Sequence, residues 1–153
     1  MLGVELGGSI KNVIAISAGI GEGLGFGSNT LAALFARGVA EMARLGEAMG
    51  ANRETFMGLS GLGDLATTCL SRQSRNRSLG EAIGKGAKLK TILGKTEMVV
   101  EGVETARSAY ALSKKFKVSM PITEAVYSIL FKNRNPKETI KALMHSGFHR
   151  ELD

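Results

Sequence analysis

The sequence predicts an all-α fold for one domain spanning residues 1–153, and three observations support this prediction. Apolar residues recur at steps of three and four along several segments, which is the spacing of one helix face. Residues that cap helices, or that open their first turn, stand at the ends of these segments. No segment shows the strict alternation of apolar and polar residues that a half-buried strand requires.

The clearest predicted helix covers residues 28–49. Ser28 or Asn29 is expected to cap its start, and Gly50 is a natural end. Its apolar side chains share helical spacing and are Leu31, Leu34, Phe35, Met42, Leu45 and Met49.

Charged residues on this helix are also spaced for contact. Arg37 and Glu41 lie four residues apart, and Glu41 and Arg44 lie three apart. Side chains at these spacings are neighbours on a helix surface, so we expect them to pair there.

Five shorter segments are also predicted to be helical: residues 10–19, Asn52–Met57, Glu101–Phe116, Pro121–Phe131 and 136–145. The first is apolar on most sides, which predicts a buried helix. Asn52 can cap the second, and Pro121 suits the first turn of the fourth. Asn135 and Glu138 stand at the two positions of a capping box at the start of the last.

The 20 glycines cluster in residues 3–27, 58–63 and 80–86, where we expect turns or ligand contacts. The run 21–27 fits either a phosphate-binding loop or, better, a connection between two packed helices. Residues 61–66 match a relaxed dinucleotide-binding pattern, but no strand precedes them, which argues against that interpretation.

Composition limits the protein's class and its partners. No segment reaches the roughly 18 apolar residues of a membrane span, and the single Cys69 fits a reducing compartment such as the cytoplasm. The formal net charge is +6, which suits an anionic ligand or simply a solvated surface. The basic residues are scattered without interleaved aromatic residues, so nucleic acid is not the expected partner.

The segment from Gly58 to Arg77 carries the densest set of reactive side chains. It contains the carboxylate Asp64, the hydroxyl of Thr68 and the sequence Ser74-Arg75-Asn76-Arg77. The guanidinium of an arginine offers a fork of donors that matches the oxygens of a phosphate, and a neighbouring asparagine adds another donor. The carboxylate would repel a phosphate, so it must face another part of the ligand. We therefore expect a small molecule with a phosphate at one end and a polar reactive group at the other.

Lys11 and Asn12 form a second polar pair, directly before an apolar run. A lysine in a desolvated setting can exchange a proton near neutral pH, and Asp64 could be its counter-charge. The alternative is a lysine whose amine reaches water from a helix end.

Taken together, these motifs resemble the bacterial form of NAD(P)-dependent glycerol-3-phosphate dehydrogenase. The resemblance covers essentially the whole chain, in the family's order. It is carried by the segments Gly7–Val13, Arg37–Met42, Gly58–Leu65, Thr68–Cys69, Ser74–Arg77, Val99–Gly102 and Met120–Glu124. It implies the family's all-α C-terminal domain, which is of the 6-phosphogluconate-dehydrogenase-like type, without the Rossmann domain that precedes it in the family.

The resemblance also implies roles for single residues. Lys11 would be the catalytic acid–base group, with Asp64 contacting the substrate and supporting it. Thr68, Ser74, Arg75 and Asn76 would complete the substrate site, with the last two on the phosphate; Asn12 is less certain. Arg75, Val99 and Glu101 would contact the nicotinamide cofactor, NAD or NADP. From the residues alone, Asp64 could instead cap a helix, Arg75 and Asn76 could lie in a surface loop, and Val99 and Glu101 could start a helix.

Three expectations follow for the molecule. It would be the isolated substrate-binding half of an enzyme that interconverts sn-glycerol 3-phosphate and dihydroxyacetone phosphate for phospholipid synthesis, inactive alone. The full-length enzyme would be a cytoplasmic homodimer without a metal. The rival interpretations are a non-enzymatic basic helical module that binds a phosphorylated ligand, and another dehydrogenase with a helical C-terminal domain.

Overall fold

The computed structural model describes residues 2–58, 63, 66–67, 71, 74–95 and 100–146, and within them the secondary structure is entirely helical. Residues 63 and 66–67 are helical, and the helices whose bounds the structure gives are α1 (Leu2–Gly23), α2 (Ser28–Ala48), α3 (Arg53–Met57), α4 (Arg75–Gly84), α5 (Leu89–Lys95), α6 (Glu101–Lys115), α7 (Pro121–Phe131) and α8 (Pro136–Ser146). The predicted all-α class is therefore confirmed.

Helix α1 lies at the centre, in contact with α2, α3, α4, α6 and α7. It presents different faces to two apolar clusters. Val13, Ile16 and Ile20 belong to the first cluster, with side chains from α4, α6, α7 and α8. Ile14 and Ala18 belong to the second cluster, with side chains from α2 and α3. The prediction that this helix is buried on most sides is confirmed.

Local sequence signals set several helix ends as predicted. The Asn52 side chain accepts a hydrogen bond from the Glu54 N–H, at 3.0 Å, and caps α3. The Asn135 side chain does the same for the Glu138 N–H at the start of α8, also at 3.0 Å. The predicted cap of α2 is wrong, because Gly27 occupies the capping position and Ser28 is already helical.

The glycine-based expectations need larger corrections. Helix α1 runs from Leu2 to Gly23, so most glycines of the 3–27 run are helical and the connection to α2 is limited to residues 24–27. Gly25 turns that connection with a φ of +82°, which glycine adopts without strain. Gly80 and Gly84 also lie inside a helix, α4, which the sequence analysis did not predict; nor did it predict α5.

The expected surface pairing of Arg37 with Glu41 is also wrong. Both side chains are buried and bind other helices. Arg37 donates to the carbonyl oxygens of Leu143, at 2.6 Å, and Met144, at 3.4 Å, at the end of α8. Glu41 accepts from the start of α7, as described below.

Candidate functional site

Four of the sequence-predicted residues that the structure describes lie at the N-terminal ends of α4 and α6. Ser74, Arg75 and Asn76 form the start of α4, and Glu101 is the first residue of α6. The two helix starts touch, because the Asn76 side chain accepts a hydrogen bond from the Gly102 N–H at 2.9 Å. Both helices pack on α1.

Glycines bring α1 and α4 into unusually close contact. A methyl group at Gly19 would overlap the carbonyl oxygen of Arg77, and one at Gly23 would overlap that of Glu81. The contact is reciprocal, because methyl groups on Gly80 and Gly84 of α4 would overlap carbonyl oxygens of α1. Residues with higher numbers on one helix face residues with higher numbers on the other, so the two helices run parallel.

This parallel packing determines which end of α1 faces the predicted phosphate site. The start of α4 lies beside the part of α1 that contains Ile16 and Gly19, and Lys11 and Asn12 lie one to two turns closer to the N-terminus of α1. Asn12 precedes Ile16 by four residues and Gly19 by seven, so it continues the helix face that contacts α4. Lys11 is the next position around the helix, about 100° away. Both side chains are partly buried.

Asn12 stays a predicted site residue. The face of α1 on which it lies follows from the glycine contacts with α4, which the sequence analysis did not predict to be a helix.

Ser74 and Arg75 have distinct local roles. The Ser74 Oγ accepts a hydrogen bond from the Arg77 N–H at 3.3 Å, so Ser74 is the N-cap of α4. Arg75 is the first residue of the helix and is exposed to solvent. The surface-loop alternative for Arg75 and Asn76 is therefore wrong, because both residues are helical.

Unlike Arg75, which is exposed to solvent, the second arginine of the Ser-Arg-Asn-Arg sequence is paired with a carboxylate. Arg77 forms a bidentate ion pair with Glu22, with Nε and Nη2 at 2.8 and 2.6 Å from its two carboxylate oxygens. This pair joins α4 to the last turn of α1, so it supports the close contact between these helices.

Electrostatics at the two helix starts favour an anion. The first N–H groups of a helix lack partners within the helix, and the aligned peptide dipoles place partial positive charge there. Arg75 adds a full positive charge. Glu101 places a carboxylate on the first turn of α6, so an anionic ligand must approach from the α4 side.

Three predicted site residues, Asp64, Thr68 and Val99, lie outside the described residues. Their proposed contacts with Lys11, the substrate and the cofactor therefore stay predictions. Glu101 does lie at the start of a helix, which is the alternative that its position left open.

A cavity of about 760 Å³ lies elsewhere, between α2, α7 and α8, and it includes none of the predicted site residues. Three of its charged side chains join helices or the segments next to them. Arg37 binds the end of α8, and Arg44 Nε donates to the Ser119 carbonyl oxygen at 3.1 Å. Glu41 accepts hydrogen bonds from the N–H groups of Ile122 and Thr123 at the start of α7. We therefore assign these residues a structural role rather than a catalytic one.

Within the described residues, no three histidine, cysteine, aspartate or glutamate side chains come close enough together to hold a metal ion. None of the described helices combines the length and the apolar character that crossing a membrane requires.

Comparison with known proteins shows the family of this chain. Residues 1–141 match the family described as NAD-dependent glycerol-3-phosphate dehydrogenase C-terminus. The chain is 53% identical over 152 residues to glycerol-3-phosphate dehydrogenase (NAD(P)+) of Desulfitobacterium hafniense, covering 99% of this chain and 43% of the relative. It is 59% identical over 151 residues to the protein of the same name from Citrifermentans bemidjiense, covering 99% and 45%. The chain thus spans less than half the length of these relatives.

Solved structures are similar over the same part. The crystal structure of glycerol-3-phosphate dehydrogenase from Coxiella burnetii has a TM-score of 0.91 and 43% sequence identity, covering 94% of this chain and 44% of that one. A glycerol-3-phosphate dehydrogenase structure from Dunaliella salina shares the fold with a TM-score of 0.79 at 23% identity, covering 92% and 26%.

Proposed function

Because this chain belongs to the family of the C-terminal domain of NAD-dependent glycerol-3-phosphate dehydrogenase, we propose that it supplies the substrate-binding half of such an enzyme. The reaction is the interconversion of sn-glycerol 3-phosphate and dihydroxyacetone phosphate with NAD or NADP. The observation that supports the proposal is the placement of Arg75 and Asn76 at the start of α4, which packs parallel to α1 and begins on the side toward the middle of α1, where Lys11 and Asn12 lie.

In this proposal the start of α4 binds the phosphate of the substrate. Arg75 donates charge-assisted hydrogen bonds to the phosphate oxygens, and Asn76 adds amide donors from a buried position. Ser74 caps the helix and lies beside the same oxygens. A phosphate at this point also interacts favourably with the helix dipole. Holding one end of the substrate fixes the position of the carbon that reacts.

Lys11 is the proton donor and acceptor in this proposal. In reduction it donates a proton to the carbonyl oxygen of dihydroxyacetone phosphate, and in oxidation it accepts the proton of the hydroxyl group. Asp64 holds the Lys11 ammonium in position, Thr68 offers a hydroxyl to the substrate, and Asn12 supports the same end of the ligand. When bound, the nicotinamide cofactor supplies or takes up the hydride.

The exposed Arg75 and Glu101 fit a cofactor that approaches from outside this domain. They lie at the starts of two helices joined by the hydrogen bond between Asn76 and Gly102. With Val99, they contact the nicotinamide end of the dinucleotide, while a Rossmann domain binds most of it. We expect the complete enzyme to be a cytoplasmic homodimer that provides the glycerol backbone of phospholipids. Sedimentation of the full-length protein at micromolar concentration tests the dimer.

Ligand titration tests the substrate site directly. We expect sn-glycerol 3-phosphate, but not glycerol, to shift the amide NMR signals of Lys11, Asn12 and residues 74–76 in the labelled chain. Arg75→Ala should weaken this binding by a factor of about 10 to 100, because a hydrogen bond to a charged group contributes roughly 1.5–3 kcal/mol. Lys85→Ala is the matched control, since it removes a positive charge from the opposite end of the same helix and should change the affinity less than twofold.

Two results would contradict the proposal. Equal losses in Arg75→Ala and Lys85→Ala would indicate nonspecific attraction to a basic surface. Binding of glycerol with the same shifts would show that no phosphate site exists.

An activity assay tests whether this domain can catalyse the reaction without a cofactor-binding domain. The 153-residue chain should reduce dihydroxyacetone phosphate with NADH or NADPH at no measurable rate, because hydride transfer needs the dinucleotide held against the substrate. Rapid turnover by this chain would show that the domain works alone.

A further inference from the structure

Asn76 has a buried side-chain amide whose oxygen and NH₂ group differ in hydrogen bonding. It is 9% exposed, and its carbonyl oxygen Oδ1 accepts the hydrogen bond from the Gly102 N–H at 2.9 Å. An asparagine amide has one acceptor oxygen and one NH₂ group with two donors. Since the oxygen is turned toward α6, the NH₂ group is turned away from it.

This orientation matters for an anionic ligand. If the amide were rotated by 180°, its oxygen would face the ligand and would repel phosphate oxygens. The bond to Gly102 therefore decides whether Asn76 attracts or repels an anion at the start of α4. The Gly102 N–H is available for this bond because it lies in the first turn of α6, where the helix provides no acceptor.

The fit around Gly102 leaves no room for a side chain. A methyl group there would overlap Asn76 Oδ1 and would lie 2.8 Å from Cδ1 of Ile16. Any larger residue must push the Asn76 amide away or separate α6 from α1. Glycine at this position thus permits the contact that orients the amide.

We propose that Gly102 is a positioning residue, which holds the Asn76 amide so that its NH₂ group faces the phosphate of the substrate. This inference rests on the proposed function, because it assumes that a phosphate binds at the start of α4. It adds that one backbone N–H of α6 sets the specificity of the α4 site for an anion.

Two variants distinguish an effect on the orientation of the Asn76 amide from an effect on folding. Asn76→Asp keeps an acceptor for the Gly102 N–H but replaces the two donors by a negative charge. It should keep the Gly102 amide protected from hydrogen exchange, yet lose affinity for sn-glycerol 3-phosphate by more than tenfold. Gly102→Ala should displace the amide and weaken binding by about tenfold, which corresponds to the loss of one hydrogen bond. Gly94→Ala is the control, because a methyl group at Gly94 meets nothing within 4 Å.

The side-chain NH₂ signals of Asn76 provide a readout that a purely structural role would not move. In the wild-type chain they should shift when sn-glycerol 3-phosphate is added, and in folded Gly102→Ala they should not shift. If Gly102→Ala fails to fold, the affinity of Asn76→Asp and the wild-type NH₂ signals still test whether the Asn76 NH₂ group faces the phosphate.

The outcomes distinguish this inference from the proposed function. Wild-type affinity in folded Gly102→Ala would overturn this inference alone. Wild-type shifts at Arg75 with unmoved Asn76 NH₂ signals, or wild-type affinity in Asn76→Asp, would overturn it together with the phosphate contact assigned to Asn76, but not the phosphate contact of Arg75. Absence of any phosphate-specific shift in the wild-type chain would overturn both.

Discussion

Glu41 is a carboxylate held where water does not reach it. Its side chain is 1% exposed, and it accepts hydrogen bonds from the Ile122 N–H, from the Thr123 N–H at 3.2 Å and from the Thr123 hydroxyl at 3.3 Å. Since Pro121 has no N–H, these are the first free donors of α7. Burial raises the pKa of Glu41 to about 7, although the hydrogen bonds and Arg44 act in the opposite direction.

This raised pKa predicts a pH dependence of stability. Between its unfolded value of 4.5 and about 7, Glu41 binds more protons in the folded state than in the unfolded state. Stability should therefore fall as pH rises through this window and level off above it, by at most roughly 3 kcal/mol. Glu41→Gln keeps an acceptor oxygen but does not titrate, so its stability should change less over the same range. Urea unfolding at pH 5 and pH 7.5 measures the difference, and an unchanged pH dependence in Glu41→Gln would assign the effect to other groups.

The contact between α1 and α4 shows how two helices can be positioned by residues that lack side chains. Glycines on both helices let the backbones meet, and the ion pair of Arg77 with Glu22 joins the same surfaces. Because Lys11 lies on one helix and Arg75 on the other, this contact also sets the distance between the proposed proton donor and the proposed phosphate site.

Gly80→Ala tests this contact. Its methyl group would overlap the Ile16 carbonyl oxygen, so the helices must separate, at a cost of about 1–3 kcal/mol. The affinity for sn-glycerol 3-phosphate should fall as well. Gly8→Ala is the control in α1, because nothing lies within 4 Å of a methyl group there, and it should stabilise the helix by about 0.5–1 kcal/mol. Denaturant unfolding compares them; a Gly80→Ala chain as stable as the wild type would show that the packing is loose.

The central position of α1 makes the whole domain cooperative. Its side chains enter both apolar clusters, so neither cluster keeps its shape once α1 is lost. A domain with a total stability of about 5–15 kcal/mol should then unfold in one transition.

Ile14→Ala is the sharper test of that cooperativity. Ile14 lies in the second cluster, whereas the stacked pair of Tyr110 and Tyr127, with ring centres 3.9 Å apart, joins α6 to α7. The substitution should cost about 2–5 kcal/mol and should shift the transitions seen by circular dichroism and by tyrosine fluorescence equally. Fluorescence that kept its wild-type midpoint would reveal two independent units.

Local signals in the sequence determined the helical class and much of its layout. The apolar spacing of α2, α6 and α7, and the caps Asn52 and Asn135, depend on neighbours a few residues away. The sequence also identified Ser74, Arg75 and Asn76 as a group, because they are adjacent in the chain. The roles of Asp64, Thr68 and Val99 stay predictions.

Tertiary structure alone decided what the glycines and the buried charges do. Glycines usually weaken helices, so Gly80 and Gly84 argued against a helix at α4 until their contact with α1 was known. Glu41 has the spacing of a surface ion pair, but its carboxylate accepts hydrogen bonds at the start of α7 from residues 81 and 82 positions away in the chain. The orientation of the Asn76 amide likewise depends on a partner in another helix, the Gly102 N–H. A sequence pattern describes which residues share a helix face, whereas the partner of that face is fixed only when distant segments bury their apolar surfaces together.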